Sequence, residues 1–253
     1  ILAYANHVAD RYDLRKDIEF NVEVKKASFD EKSRSWQIET DKGEKIATQY
    51  FIMAPGCIST AQIPKIPGVE RFKGEVYHTG NWPHKEIDFS SKRIAVVGVG
   101  SSGIQSIPVL AKQARHLTVF QRTPNYSIPS QNEPMTADYE KLWKSDYASR
   151  REEMRYTPHG SLKDLNDKSA LSANEEERQL TYQKRWEIGG AGYLGAFNDL
   201  LTNKESNDTA SEFVREKIRE IVKDPVIAEK LSPKTYPIGT KRICIAVSYT
   251  HLT

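Results

Sequence analysis

The run KRIAVVGVGSSGIQSIPVLAKQARHLTVFQRTP, residues 92–124, constrains this chain most. A short apolar strand, IAVV, leads into Gly98-x-Gly100-x-x-Gly103. A helix rich in small apolar residues follows, and residues 117–120 return as a second strand, which makes a βαβ unit. Each glycine has a task in such a turn. Gly98 permits the tight bend, Gly100 removes a side chain where a pyrophosphate must approach the backbone, and Gly103 lets helix and strand pack closely. Ser101 and Ser102 open the helix, whose first N–H groups are offered to an anion. A ligand-free glycine turn is the plain alternative.

The end of the second strand selects the nucleotide. A carboxylate there would accept the ribose hydroxyls of NAD. This strand ends FQRTP, so Arg122 and Thr123 occupy the region instead. A guanidinium binds a 2′-phosphate through two parallel hydrogen bonds and a hydroxyl adds a third, which favours NADPH. An ordinary solvated arginine is the alternative.

The flanks set the organisation. Ile1, Tyr4, Ala5, Val8, Ala9 and Tyr12 recur at helical spacing. Phe20, Val22 and Val24 alternate with polar residues, and Asp41-Lys42-Gly43 is a turn between strand-like runs, so a β-meander is expected. It should end in YFIMA, a run read as a strand buried on both faces. Prolines and glycines in PGCISTAQIPKIPG mark a connector. From about residue 130 the pattern turns helical, with YEKLWKSDYASRREEMRY, SANEEERQLTYQKRWEIG and NDTASEFVREKIREIVKD as helices, the last capped at Asn207-Asp208-Thr209. YPIGTKRICI leads back to a strand.

Composition narrows the class. The 37 basic and 34 acidic residues are interleaved, so a net charge of +3 gives no footprint for nucleic acid. No apolar run approaches the ~20 residues of a membrane span. Cys57 and Cys244 form neither a disulfide framework nor a metal spacing, so no metal is expected and a reducing, cytoplasmic setting is.

FKGEVYHTGNWP, residues 72–83, stands shortly before the glycine turn. It resembles the F-x-G-x-x-x-H-x-x-x-W-P signature of Baeyer–Villiger monooxygenases, class B flavoproteins, and the likeness is strongest to the cyclohexanone and phenylacetone branch. It extends through FQRTP, the helical stretch and YPIGTKR. The resemblance implies an α/β, two-dinucleotide-binding (Rossmann-like) flavoprotein fold with an α-helical insertion in the NADPH domain. Expected segments are 1–52 (later part of the first FAD-domain segment), 53–92 (linker with the signature), 93–129 (NADPH-binding βαβ), 130–236 (helical insertion) and 237–253 (return to the NADPH domain). It further implies FAD and NADPH as cofactors, with O2 and a small-molecule ketone converted to an ester or lactone through a C4a-peroxyflavin. By the same resemblance Arg242 is catalytic, stabilising the peroxide and positioning the nicotinamide, and Lys241 lies near the 2′-phosphate beside Arg122. Read alone, Lys241-Arg242 is a solvated basic dipeptide in a loop. His78 is expected to order the linker and act through domain movement, and Phe72 and Trp82 to pack at the junction. No oligomeric state is implied.

Two departures are expected to matter. No G-x-G-x-x-G precedes Gly98, and Pro55 in MAPG removes a backbone donor. After GTKRICI the chain runs AVSYTHLT, where the likeness stops at about residue 246, as in a truncated or mis-joined frame. Rival readings are a flavin-dependent N- or S-oxygenating monooxygenase, which typically lacks the Trp-Pro ending, and, for these residues alone, a non-catalytic NADP-binding remnant. A disulfide reductase needs a close cysteine pair, which Cys57 and Cys244 do not make.

Overall fold

A computed structural model describes residues 1–56, 59–157, 160–162, 165–241 and 243–246. The chain divides into two compact units, Ile1–Phe72 and Lys73–Thr253, and the division falls within the FKGEVYHTGNWP run.

In the first unit, helix α1 (Leu2–Arg11) is followed by an antiparallel meander of β1 (Val24–Asp30), β2 (Ser35–Thr40) and β3 (Lys45–Thr48). Gly43, at φ +80°, makes the predicted β2–β3 turn, closed by Gly43 N–H donating to Thr40 O at 3.0 Å. Trp36 packs between Phe29 and Phe51, with ring centroids 5.5 and 5.6 Å away. Two expectations fail here. The first strand begins at Val24 rather than at Phe20, because Asn21 sits in the left-handed region at φ +57° and breaks the extended run. YFIMA is not a strand: Tyr50, Ile52 and Met53 are 82%, 86% and 73% exposed. A strand buried on both faces needs neighbours on both edges and layers above and below, and a three-stranded meander with one short helix supplies neither.

In the second unit, β4 (Arg93–Val97) and β5 (His116–Phe120) pair in parallel, with Val97 opposite Phe120 and the crossover helix α2 (Ser101–Gln113) between them in sequence. This is the predicted βαβ unit. Strand β6 (Ser127–Pro129) pairs in parallel with β7 (Cys244–Ala246), so YPIGTKRICI does lead into a strand. The mixed α/β character with parallel strands agrees with the expected fold class.

Between these strands lie helices α3 (Ala137–Ser145), α4 (Tyr147–Arg155), α5 (Glu175–Ile188), α6 (Lys204–Ile221) and α7 (Pro225–Leu231). The helix expected over YEKLWKSDYASRREEMRY is two helices. It breaks at Asp146, whose backbone leaves the helical region at φ −132° and ψ 31°, and Arg150 reaches back over the Trp143 ring at 4.7 Å. Asn174 caps α5 by accepting from Glu177 N–H, and Asp224 caps α7, with Pro225 at its first position. Helix α6 begins earlier than expected. Its cap is Asn203, which accepts from Ser206 N–H at 3.1 Å, not Asn207-Asp208-Thr209. Asn207 is buried inside the helix. Its amide donates to Leu200 O (2.7 Å) and Ile238 O (2.8 Å), while its carbonyl accepts from Ile238 N–H (3.0 Å) and Ser211 Oγ (3.1 Å).

The core of this unit is aromatic. The Tyr182 ring lies 5.4 Å from Phe197, 5.5 Å from Phe213 and 5.8 Å from Tyr193. Burial pushes the Tyr182 phenol up to about 12, although Thr209 Oγ1 lies 2.7 Å from it. Among the described residues, no helix is long and apolar enough to cross a membrane.

Candidate dinucleotide site

The parallel register brings the two ends of the motif to one place. Because Val97 faces Phe120, the chain leaving β4 at Gly98 and the chain leaving β5 at Gln121 emerge from the same edge of the sheet. Gly98 N–H donates to Phe120 O at 2.9 Å and fastens the two exits together. Gly98 has φ +103°, a conformation that other residues rarely adopt. A Cβ on Gly103 would collide with the Gly98 carbonyl oxygen, so its absence lets α2 start directly against the end of β4. A Cβ on Gly100 would meet nothing within 4 Å.

Gly100 is also the first residue of the helix entry, and no side chain caps α2 there. No acidic residue stands in the first turn, so the positive end of the helix dipole is not neutralised. Ser101 and Ser102 form that turn. Their carbonyls accept from Gln105 Nε2 and Ser106 Oγ, both at 2.8 Å, which braces the turn from the far side. An open cradle lined by backbone and set at an uncapped helix start suits a pyrophosphate. The same string recurs at Gly190-x-Gly192-x-x-Gly195, but there it follows α5 and folds into a 3-10 turn with Tyr193 buried. Strand before and helix after are what make the first copy a cradle.

Arg122 and Thr123 follow β5 after one residue, Gln121, with Arg122 exposed and Thr123 half-buried. Gln121, just before them, donates to Lys230 O on α7 at 2.8 Å. Pro124 and Asn125, just after, are held by Tyr236, whose hydroxyl lies 2.7 Å from Pro124 O and 2.9 Å from Asn125 Oδ1. Lys241, exposed, places its Nζ 4.4 Å from the centre of the Tyr236 ring. The two segments singled out for the 2′-phosphate are therefore joined through one tyrosine. A cavity of about 960 Å³ runs between α2, β5 and α7, with Arg122, Asn125 and Gln121 among its lining and Ile107, Leu117 and Leu231 forming its apolar part.

His78 lies in a separate turn of the same unit. Its Nδ1 accepts from Gly80 N–H at 3.0 Å, and its carbonyl accepts from Asn81 N–H at 2.9 Å. With Nδ1 occupied as an acceptor, the neutral ring carries its proton on Nε2. Trp82 packs on Tyr77 (5.6 Å) and Phe89 (6.2 Å), and Phe72 is 63% exposed. Lys92 pairs with Glu75 and holds its carboxyl below the usual range. Arg242 lies outside the described residues, as do Cys57 and the tail from 247. Gln121 and Tyr236 fall within FQRTP and YPIGTKR, but neither string gives them a role, and Asn125 carries no sequence signal. Their partners are distant in the chain, and only the fold brings them together.

The family model of flavin-binding monooxygenase-like proteins matches residues 1–134. The chain belongs to that family. A Baeyer-Villiger monooxygenase of Pseudooceanicola batsensis is 38% identical over 92% of this chain and 43% of its own length. The phenazine N-monooxygenase PhzNO1 of Lysobacter antibioticus is also 38% identical, over 92% of this chain and 43% of its own. A solved structure of an oxidized steroid monooxygenase bound to NADP is 46% identical, with a TM-score of 0.94 over 99% of this chain and 48% of that one. The chain thus spans about half the length of the relatives it matches. At that identity and TM-score the flavoprotein fold is shared, which supports the fold expected from FKGEVYHTGNWP and GVGSSG.

Proposed function

We propose that this chain forms the NADPH-binding part of a flavoprotein monooxygenase that uses O2 to convert ketones into esters or lactones. One observation carries the reading. In a chain of the flavin-binding monooxygenase-like family, the F-x-G-x-x-x-H-x-x-x-W-P run precedes an uncapped helix start whose Gly100 leaves open space, with Arg122 at the same sheet edge. A relative solved with NADP and one named a Baeyer-Villiger monooxygenase support it.

In this reading Gly98, Gly100 and Gly103, with the backbone of Ser101 and Ser102, hold the pyrophosphate of NADPH. Arg122, Thr123 and Lys241 hold its 2′-phosphate. His78 keeps the 78–81 turn in shape and positions rather than reacts. Arg242 supplies a cation that steadies negative charge developing during oxygen transfer. FAD, when bound, would supply the redox centre that reacts with O2. No G-x-G-x-x-G precedes Gly98, so no residue of this chain is assigned to the flavin's pyrophosphate. The setting proposed is cytoplasmic.

A second reading, N-oxygenation, is favoured by the phenazine N-monooxygenase relative. The test is NADPH oxidation under air by the flavin-loaded protein, with a cyclic ketone or a phenazine present and products identified by mass. Ester or lactone formation coupled to NADPH use is the expected result. N-oxide without ester would transfer the proposal to the second reading, and NADPH use coupled to neither would overturn both.

A further inference from the structure

Tyr236 touches both segments assigned to the 2′-phosphate. On one side the single proton of its hydroxyl is shared between Pro124 O and Asn125 Oδ1, immediately after Arg122 and Thr123. On the other side its ring lies beneath the Lys241 ammonium at 4.4 Å. The tyrosine is itself firmly seated. The buried Tyr126 ring meets it edge-on at 5.6 Å, and Tyr126 Oη accepts from Arg215 Nη1 at 3.1 Å. Asn207 fixes the backbone two residues later, at Ile238.

The physical consequence concerns two flexible cations. An exposed lysine ordinarily spreads over many rotamers, and a surface arginine on a short turn follows whatever the turn does. A ring face offers the ammonium a preferred place, and a hydroxyl clamped on the turn limits where the guanidinium starts. Two positive charges held in advance bind one phosphate dianion at lower entropic cost than two that must be gathered.

We infer that Tyr236 is a positioning residue for cofactor choice: it favours NADPH over NADH by holding the Arg122–Thr123 turn through its hydroxyl and Lys241 through its ring. This rests on the proposed NADPH reading and extends it to a residue that need not touch the nucleotide. NAD+ lacks only the 2′-phosphate and so serves as the internal control.

The experiment titrates the protein with NADP+ and with NAD+ by calorimetry, and compares wild type with Tyr236→Phe, Tyr236→Leu, Lys241→Met and the double variant of the last two. Tyr236→Phe keeps the ring and loses the hydroxyl, so NADP+ affinity should fall about threefold. Tyr236→Leu loses both and should fall about tenfold, with NAD+ affinity unchanged within about twofold. Lys241→Met should weaken NADP+ in the wild type yet add little in the Tyr236→Leu background, because the lysine has already lost its seat. Equal losses for NADP+ and NAD+ in Tyr236→Leu, or strictly additive losses with Lys241→Met, would overturn the inference. If Tyr236→Leu does not fold, Tyr236→Phe decides: a selective NADP+ loss upholds the inference, and no loss or an equal one overturns it. A wild-type protein that does not distinguish NADP+ from NAD+ would instead refute the proposed function beneath it.

Discussion

A methyl group at Gly103 would run into the Gly98 carbonyl oxygen, whereas one at Gly100 meets open space. The two glycines therefore answer different needs, and substitution separates them. Gly103→Ala must push α2 away from β4 and should cost about 1–3 kcal/mol of stability, read by denaturant unfolding. Gly100 has φ −72°, which alanine adopts without strain, so Gly100→Ala should keep stability within about 0.5 kcal/mol. It should nevertheless lose NADP+ affinity, because the new methyl occupies the space the pyrophosphate needs. If Gly100→Ala binds NADP+ as tightly as wild type, the cradle is not a nucleotide site. These residues were legible in the sequence because their geometry is local: strand, turn and helix lie within eleven positions, and the spacing carries the constraint. Tyr236 was not legible. It acts on Asn125, more than a hundred residues earlier, and nothing in SPKTYPIG announces that contact.

At the scale of elements, α6 shows how a polar residue can be misread. Asn207-Asp208-Thr209 has the composition of a helix start, but the helix begins three residues before Asn207, at Lys204, and Asn203 makes the capping bond. Asn207 instead faces the core and closes a ring of hydrogen bonds to Leu200, Ser211 and Ile238. Capping and buried bracing call for the same short amide, so composition does not separate them. Asn207→Ala would strip the Leu200 and Ile238 carbonyls of their amide donor in the interior, while Ile238 N–H keeps Ser211 Oγ at 3.3 Å, and should cost about 2–4 kcal/mol, measured by urea unfolding. A loss below about 0.5 kcal/mol would show that the ring contributes little. The other misread elements have equally physical causes. YFIMA has the composition of a doubly buried strand, yet burial depends on neighbours its unit does not provide. Phe20 and Val22 alternate correctly, but Asn21 at positive φ ends the pairing that alternation alone predicts.

At the scale of the molecule, every described residue assigned to the nucleotide belongs to one compact unit, Lys73–Thr253. Gly98 to Gly103, Arg122, Thr123, Tyr236 and Lys241 come from segments far apart in sequence, and the parallel strand pairs with the aromatic helical core bring them to their places. Fold class and nucleotide motif were readable because they depend on element order. The tie between the 122–125 turn and the Tyr236–Lys241 loop depends on how the intervening helices pack, which no local pattern encodes. The central claim is that this unit selects its nucleotide by the 2′-phosphate. Calorimetric titration of wild type and Arg122→Ala with NADP+ and NAD+ tests it directly. The account predicts that wild type binds NADP+ at least about tenfold more tightly than NAD+, and that Arg122→Ala removes most of that preference while leaving NAD+ affinity unchanged. Equal affinities in the wild type, or equal losses for both nucleotides on substitution, would contradict it.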